Sequence, residues 1–415
     1  MTASVCMKAL RLAGRIILEN GGETYRAEDT IIRMAQALGL SEPDAFAIPS
    51  GLFISFDDEN GERKTSVSRV HLRGTHLRRV DRVNQLSRML SDGTLDRDQL
   101  VDELEAAARI GERTPWWYAL VTAFVTAAGF AVMFGGGVIE VLLGGLCAAL
   151  TQAVPLCLRG RDSGGMAGTL MGSVLCALIP LLYHEYLGPC LTEAIIAAAI
   201  MPLVPGLSMT NAVRDILRGD MMSGVGHCAR AIMIAVMVAG GALVGTHLSS
   251  MLGAALPADA AGSTPLTWWG AITIFWSSTL AGMGFGALLH APRRAILSGG
   301  LIGGVGYTAY WLMLESGSAE TTAIFVGALL ASFGAQVAAP KLKIIATAIV
   351  TTAIMPLVPG VGLYRAMRML AQGQTAQGLA FAAHTMALIV MIALGIGLGA
   401  ALPKTPPALR KGDAR

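Results

Sequence analysis

The chain has 415 residues, of which 53% are hydrophobic and only 14% charged, and its mean hydropathy is +0.58; ordinary soluble domains do not show this balance, so it reads as a polytopic membrane protein. A net charge of +3 gives no nucleic-acid surface, and the six cysteines are scattered without a CxxC or zinc spacing. No nucleophile elbow, Walker loop or HExxH motif occurs, so the reading is of a non-enzyme with no cofactor and no metal.

Sixteen of the 31 lysines and arginines precede Trp116, which sets residues 1–113 apart as a water-soluble domain. No apolar run opens the chain, so no cleavable signal is expected and this domain is placed in the cytoplasm. Val5 to Leu18 has helical periodicity and stops at Asn20-Gly21-Gly22; a second amphipathic helix runs from about Glu28 to Leu38. Phe46 to Phe56 and Lys64 to Val70 read as strands flanking the turn Asp57 to Gly61, and helices Leu77 to Leu90 and Leu95 to Arg109 complete a small α+β domain. Gly22-Glu23-Thr24-Tyr25-Arg26 puts a carboxylate, a hydroxyl and a guanidinium at a helix entrance. That is either a small-ligand or anion site or a capping turn with a surface ion pair. His71 and His76 have no partner at metal-ligand spacing.

From Trp116 onward ten apolar runs have the length of membrane spans, at about 116–134, 138–158, 165–183, 190–210, 228–247, 268–290, 295–314, 321–339, 342–362 and 378–399. Ile200-Met-Pro-Leu-Val-Pro-Gly206 returns unchanged as Ile354-Met-Pro-Leu-Val-Pro-Gly360, and Trp116-Trp117, Gly144-Gly145 and Arg214 return as Trp268-Trp269, Gly299-Gly300 and Arg368. The membrane part is therefore two copies, 114–248 and 268–403, joined by an external linker 249–267 and followed by a cytoplasmic tail 404–415. Five spans per copy is an odd number, so the second copy enters the membrane inverted: the expected fold is an α-helical polytopic protein of ten transmembrane helices in two inverted five-helix repeats. With the N-terminal domain inside, 13 lysines and arginines fall in inner loops and the tail, and only Arg365 and Arg368 fall outside.

The prolines of the repeated motif lack the N–H that would bond the carbonyl four residues earlier, which frees the carbonyls of Ala198, Met201, Thr352 and Met355. In hydrocarbon, such a break points either to a discontinuous helix at a transport site or to a plain kink. The candidate substrate-binding residues are accordingly Pro202, Pro205, Gly206, Asn211 and Arg214 in the first copy and Pro356, Pro359, Gly360 and Arg368 in the second. The arginines could equally snorkel to headgroups. Carboxylates are scarce inside the spans; Glu193 is the chosen proton-coupling group, with Glu140, Asp162, Asp215, Glu315 and Glu320 nearer boundaries. His227 and His384 flank span ends, and the Gly282-x-Gly-x-Gly286 and Gly395-x-Gly-x-Gly399 runs read as close-packing surfaces.

An N-terminal domain with Gly22-Glu-Thr-Tyr-Arg26, Pro49-Ser-Gly51 and Arg79-Val-Asp-Arg-Val-Asn84, followed by two units carrying Pro-Leu-Val-Pro-Gly, resembles the threonine/serine exporter family. The resemblance covers essentially the whole chain. It implies a multi-pass protein of the bacterial inner membrane that exports small hydrophilic amino acids outward on the proton-motive force. A branch of the family splits the architecture into two proteins and is associated with dicarboxylates such as succinate, which is the alternative substrate class. The expected partners are a small amino acid, protons and the lipid bilayer, with a homo-oligomer left open.

Overall fold

The computed structural model describes residues 2–58, 60–71, 74–112, 114–158, 165–204, 206–217, 219–254 and 267–402. The N-terminal unit consists of helices α1 (Ala3–Glu19) and α2 (Thr24–Ala37), strands β1 (Ser41–Ile48), β2 (Gly51–Asp57) and β3 (Arg63–Arg69), and helices α3 (Leu77–Ser91) and α4 (Leu100–Ala108). Ala9, Leu10, Ala13 and Ile17 recur at three- and four-residue spacing on α1 and are buried, while Lys8 and Arg11 stay in solvent. Leu52, Ile54 and Phe56 alternate inward from β2. The sheet is an antiparallel meander in the order β1-β2-β3, with Phe46 opposite Phe53 and Phe53 opposite Val67 on its exposed face.

Two expectations for this unit are corrected. Phe46 to Phe56 is not one strand: Pro49 has no N–H for a ladder, and the chain reverses at Pro49-Ser50 so that Ile48 pairs with Gly51. The second helix starts four residues earlier than expected, so Glu23 is the residue before its first turn.

Seven of the remaining helices are long and apolar enough to cross a membrane: α5 (Trp116–Met133), α6 (Val138–Leu158), α7 (Met166–Tyr186), α10 (Met221–Met251), α11 (Trp268–Leu288), α13 (Glu320–Leu342) and α16 (Thr375–Ala401). The protein is thus a multi-pass membrane protein. α12 (Arg293–Glu315) opens on two arginines and is glycine-rich, and it is not among the seven. The expected spans 190–210 and 342–362 are not single helices. Each is a pair of short ones, α8 (Thr192–Ile200) with α9 (Gly206–Leu217), and α14 (Ala346–Ile354) with α15 (Gly360–Ala371). The second pair bends by 51° at its break and counts as an eighth span if taken as one. The inner-loop and tail charges Arg159, Arg161, Arg218, Lys404, Arg410, Lys411 and Arg415, together with Asp162 and most of the linker, lie outside the described residues.

Corresponding helices pack in corresponding ways: α7 lies along α10, and α13 along α16. The first helices of the two copies, α5 and α11, cross at small residues, where a Cβ on Gly284 would fall 2.7 Å from the Thr126 nitrogen. Only a glycine lets the backbones come this close. α9 and α15 leave their own copies to pack against both long helices, α10 and α16.

Candidate functional site

The breaks follow from proline chemistry. After α14 the chain makes one 3-10 turn, Met355–Leu357, and then Val358 is extended at φ −64°, ψ 122°. Pro359 disfavours helical backbone at the residue before it, and α15 starts afresh at Gly360. The Met355 carbonyl, expected to lose its partner, accepts from the Val358 N–H at 3.3 Å. In the first copy the N–H groups of Leu203 and Val204 both donate to the Ile200 carbonyl, at 2.8 and 3.2 Å, before α9 begins at Gly206. Pro205 lies outside the described residues. The two breaks touch one another, since a Cβ on Gly360 would fall 2.9 Å from Met201 Sδ and 3.2 Å from Val204 Cγ1.

Beside the second break lies a cavity of about 480 Å³, walled by Met201 of the first motif and by residues 356–362 of the second. Its polar lining comes from five helices: Glu193 in the first turn of α8, Tyr307 and Tyr310 one turn apart on α12, Glu320 opening α13, Arg365 on α15 and His384 on α16. Glu193 Oε1 forms ion pairs with Arg365 Nε at 3.2 Å and Arg368 Nη2 at 3.5 Å, and all three side chains are between 22% and 32% exposed. The Arg368 guanidinium also lies over the Tyr364 ring, 5.7 Å from its centroid. The Tyr310 hydroxyl donates to Glu320 Oε1 at 3.3 Å, and His384 Nε2 is 2.8 Å from Glu320 Oε2. The first turn of α15, the positive end of its dipole, borders the same space. The lining thus offers a guanidinium shared with Glu193 and a helix N-terminus, and apart from these the Glu320 carboxylate with hydroxyl and imidazole neighbours, a match for a small solute bearing both signs of charge.

Arg214, which holds the place of Arg368 in the first copy, is elsewhere. It is buried at 9% exposure and pairs with Glu23 of the N-terminal unit. Glu23 Oε2 is also 3.2 Å from Arg26 Nη2 and accepts from Thr347 Oγ1, in the first turn of α14, at 3.3 Å. Arg26 itself donates to Thr347. The expectation of a capping turn with a surface ion pair is corrected: Glu23 makes no side-chain cap on α2, and its ion pair is not on the surface. Burial acts against the Arg26 charge, but Glu23 and Tyr25 beside it prevail and raise its pKa. Close by, Asp81 Oδ1 of α3 accepts the Ile345 N–H at 3.1 Å, which caps the start of α14. Burial raises the Asp81 pKa, while that N–H and Gln85 pull the other way.

The expected residues therefore divide. Glu193, Pro356, Pro359 and Gly360 line the cavity, and Arg368 reaches it through Glu193. Pro202 and Asn211 are half-buried and are not among the lining residues, and Arg214 belongs to the buried cluster with Glu23. Glu140 accepts the N–H groups of Gly137 and Leu191 at 2.8 and 2.9 Å, so it ties the start of α6 to the start of α8. Tyr307, Tyr310 and Thr347 were not singled out in the sequence, and Asp81 entered only as part of the Arg79 to Asn84 motif, with no role attached. The tyrosine pair at i, i+3 on a glycine-rich helix was a usable signal, whereas Thr347 carried none.

A model of the threonine/serine exporter family matches residues 8–249. The chain belongs to that family. A second model, described as "Threonine/Serine exporter, ThrE", matches residues 274–402. Among curated members, the "Threonine/serine exporter" of Corynebacterium glutamicum is 24% identical over 96% of this chain and 82% of its own length. The "Probable threonine/serine exporter" of Mycobacterium tuberculosis is 21% identical over 100% of this chain and 82% of its own. The "Probable succinate transporter subunit YjjP" of Klebsiella aerogenes is 22% identical over 52% of this chain and 84% of its own. Members of the family carry exporter names rather than enzyme names. No solved structure matches the chain.

Proposed function

We propose that this protein is a secondary transporter of the bacterial inner membrane that exports small hydrophilic amino acids, threonine and serine foremost, on the proton-motive force. The observation that carries the reading is the cavity beside the second break, with Arg365 and the first turn of α15 on one side and Glu320, Tyr310 and His384 on the other. The substrate carboxylate faces the arginine and the helix N-terminus, and its ammonium faces Glu320 and the hydroxyls. Glu193 takes up and releases the coupling proton, and its grip on Arg365 and Arg368 changes with it.

Alternating access between inverted repeats is supported by where the half-helices end. The start of α8 and the arginines of α15 share one end of the bundle, while Arg214 of α9 and the start of α14 share the other. With the N-terminal unit and the C-terminus in the cytoplasm, the cavity faces outward. The inner end is then closed by the Glu23 cluster.

The second reading, a dicarboxylate exporter, is favoured by the succinate name of the half-length relatives. The two carboxylates lining the cavity weigh against it. Proteoliposomes loaded with labelled threonine, serine or succinate under an imposed pH gradient decide between them. Saturable threonine or serine counterflow is the expected result. Succinate flux alone would transfer the site to dicarboxylates, and no flux of any of the three would sink the transport reading.

A further inference from the structure

The N-terminal unit meets the helix bundle at a second cleft that transport does not use. His76, just before α3, stacks on His290 in the turn between α11 and α12, with ring centroids 4.6 Å apart and planes 17° apart. Tyr118 of α5 lies 5.6 Å from His290. The N–H groups of Leu77 and Arg78 donate to the carbonyls of Leu289 and His290 at 3.1 and 3.0 Å, which fastens α3 to that turn.

This arrangement is held against cost. His290 sits at φ +52°, a left-handed conformation that a side chain seldom adopts. Gly111, at φ +87°, leaves room that a Cβ would fill, because it would fall 2.2 Å from His76 Nε2. Both ring nitrogens of His76 are buried without a hydrogen-bond partner among the described residues. A buried polar atom left unpaired is expensive, and it marks a place where a ligand or water completes the structure.

Charge says which ligand. Arg78, Arg109 and Arg293 line this cleft of about 550 Å³, and Glu112 is the single carboxylate among its described lining residues. Among the described residues, none of the three guanidinium groups makes a side-chain hydrogen bond or ion pair. Three arginines around one cleft outnumber the single carboxylate that lines it, and a multi-oxygen anion relieves their mutual repulsion by accepting from several forks at once. Burial first, then His290 and Arg79, push the His76 pKa down to about 4. Burial also lowers the His290 pKa, so the surroundings of the stack disfavour its charged form. The cleft sits where apolar helices begin, beside Trp116 and Trp117, which are 67% and 51% exposed; tryptophans of this kind belong at the headgroup level of a bilayer.

We propose that this cleft binds a phosphate-bearing anion, either the headgroup phosphate of an acidic membrane lipid or free phosphate, through Arg78, Arg109 and Arg293 above the His76–His290 stack. The bound phosphate then locks the N-terminal unit to the starts of α5 and α12.

The full-length protein, purified in detergent and stripped of lipid, tests this in two arms. Mixed micelles containing phosphatidylglycerol or phosphatidylcholine are titrated in one, and inorganic phosphate in the other, with thermal unfolding, native mass spectrometry and the ring signals of labelled histidine as readouts. The expected result is saturable binding that shifts the His76 ring signal and raises its pKa, since a nearby anion favours the charged form. Arg109→Ala and Arg293→Ala should each weaken binding by about tenfold. Arg69→Ala, an exposed arginine on β3 that does not line the cleft, should not change it. Protection by phosphatidylglycerol alone identifies a lipid site, and equal protection by inorganic phosphate identifies a free anion. Equal response to phosphatidylcholine, or an Arg69→Ala loss as large as that of Arg109→Ala, overturns the proposal.

Discussion

Arg214 and Arg368 occupy the same place in two copies of one sequence, yet they live in different surroundings. Arg368 shares a partly exposed carboxylate, Glu193, with Arg365 at the rim of a cavity. Arg214 is buried, and its carboxylate comes from the N-terminal unit, 191 residues away in sequence. The difference teaches that the repeated sequence supplies the cation and the broken helix twice, whereas the carboxylate that pairs with each arginine comes from a different place. A pair within the membrane copies can loosen and re-form, while a pair buried under a separate domain acts as a clasp. Glu23 and Arg26 grip α9 and α14 together, so one short motif holds the ends of both broken pairs.

The strongest way to break the comparison is to delete each arginine in turn. Arg214→Ala leaves Glu23 buried with Arg26 as its remaining cation, and removing one partner of a buried pair costs about 3–5 kcal/mol. Thermal unfolding in detergent should show a large drop in midpoint, partly recovered by the swap Glu23→Arg with Arg214→Glu. Arg368→Ala removes a partly exposed ion and leaves Glu193 paired with Arg365, so a smaller cost than for Arg214→Ala is expected, and the protein should stay folded while export falls. Similar stability losses for both variants would refute the distinction.

Export itself gives the next largest contrast. Pro356 lines the cavity and Pro202 does not. Pro356→Ala restores an N–H and allows α14 to run on into the space the substrate needs, so counterflow should vanish with the protein still in the membrane. Pro202→Ala changes the break that reaches the cavity only through Met201 and should retain part of the flux. Equal loss in both would mean that the two motifs serve a single site symmetrically. Glu193→Gln tests the other half of the cavity: threonine exchange should persist, but its dependence on an imposed pH gradient should disappear. A gradient response as steep as in the unchanged protein would remove Glu193 from the coupling role.

Much of this was legible because it is local. A proline blocks its own helix wherever the chain goes afterwards, so the repeated Pro-Leu-Val-Pro-Gly announced both breaks, and the 3.6-residue rhythm of α1 announced its buried face. The partners were not legible. Glu320 reaches His384 across 64 residues and Glu23 reaches Thr347 across 324, and no periodicity encodes such meetings. Glu23 also misled in a specific way: a carboxylate just before a helix fits the pattern of a cap, yet its oxygens are taken by three side chains from other elements or the next turn. The Phe46 to Phe56 run failed for a different reason, since apolar and aromatic residues continue on both sides of a proline that forces the reversal.

The finest distinction concerns the contact between the breaks. A Cβ on Gly360 meets Met201 Sδ at 2.9 Å and Val204 Cγ1 at 3.2 Å. The methionine tip is flexible and can swing aside, whereas the branched valine in a turn has little freedom. Gly360→Ala should therefore destabilise through Val204 and recover part of the loss, because the unfolded chain loses freedom as well. The net effect is expected to be about 1 kcal/mol, read as a small fall in the unfolding midpoint. In a Met201→Ala background, the same substitution should cost measurably less, since one of its two obstacles is gone; non-additivity of this kind is the signature of residues in contact. Strict additivity would mean that the two motifs are apart in the detergent-solubilised protein, and the break lining the cavity would then work without the other one behind it.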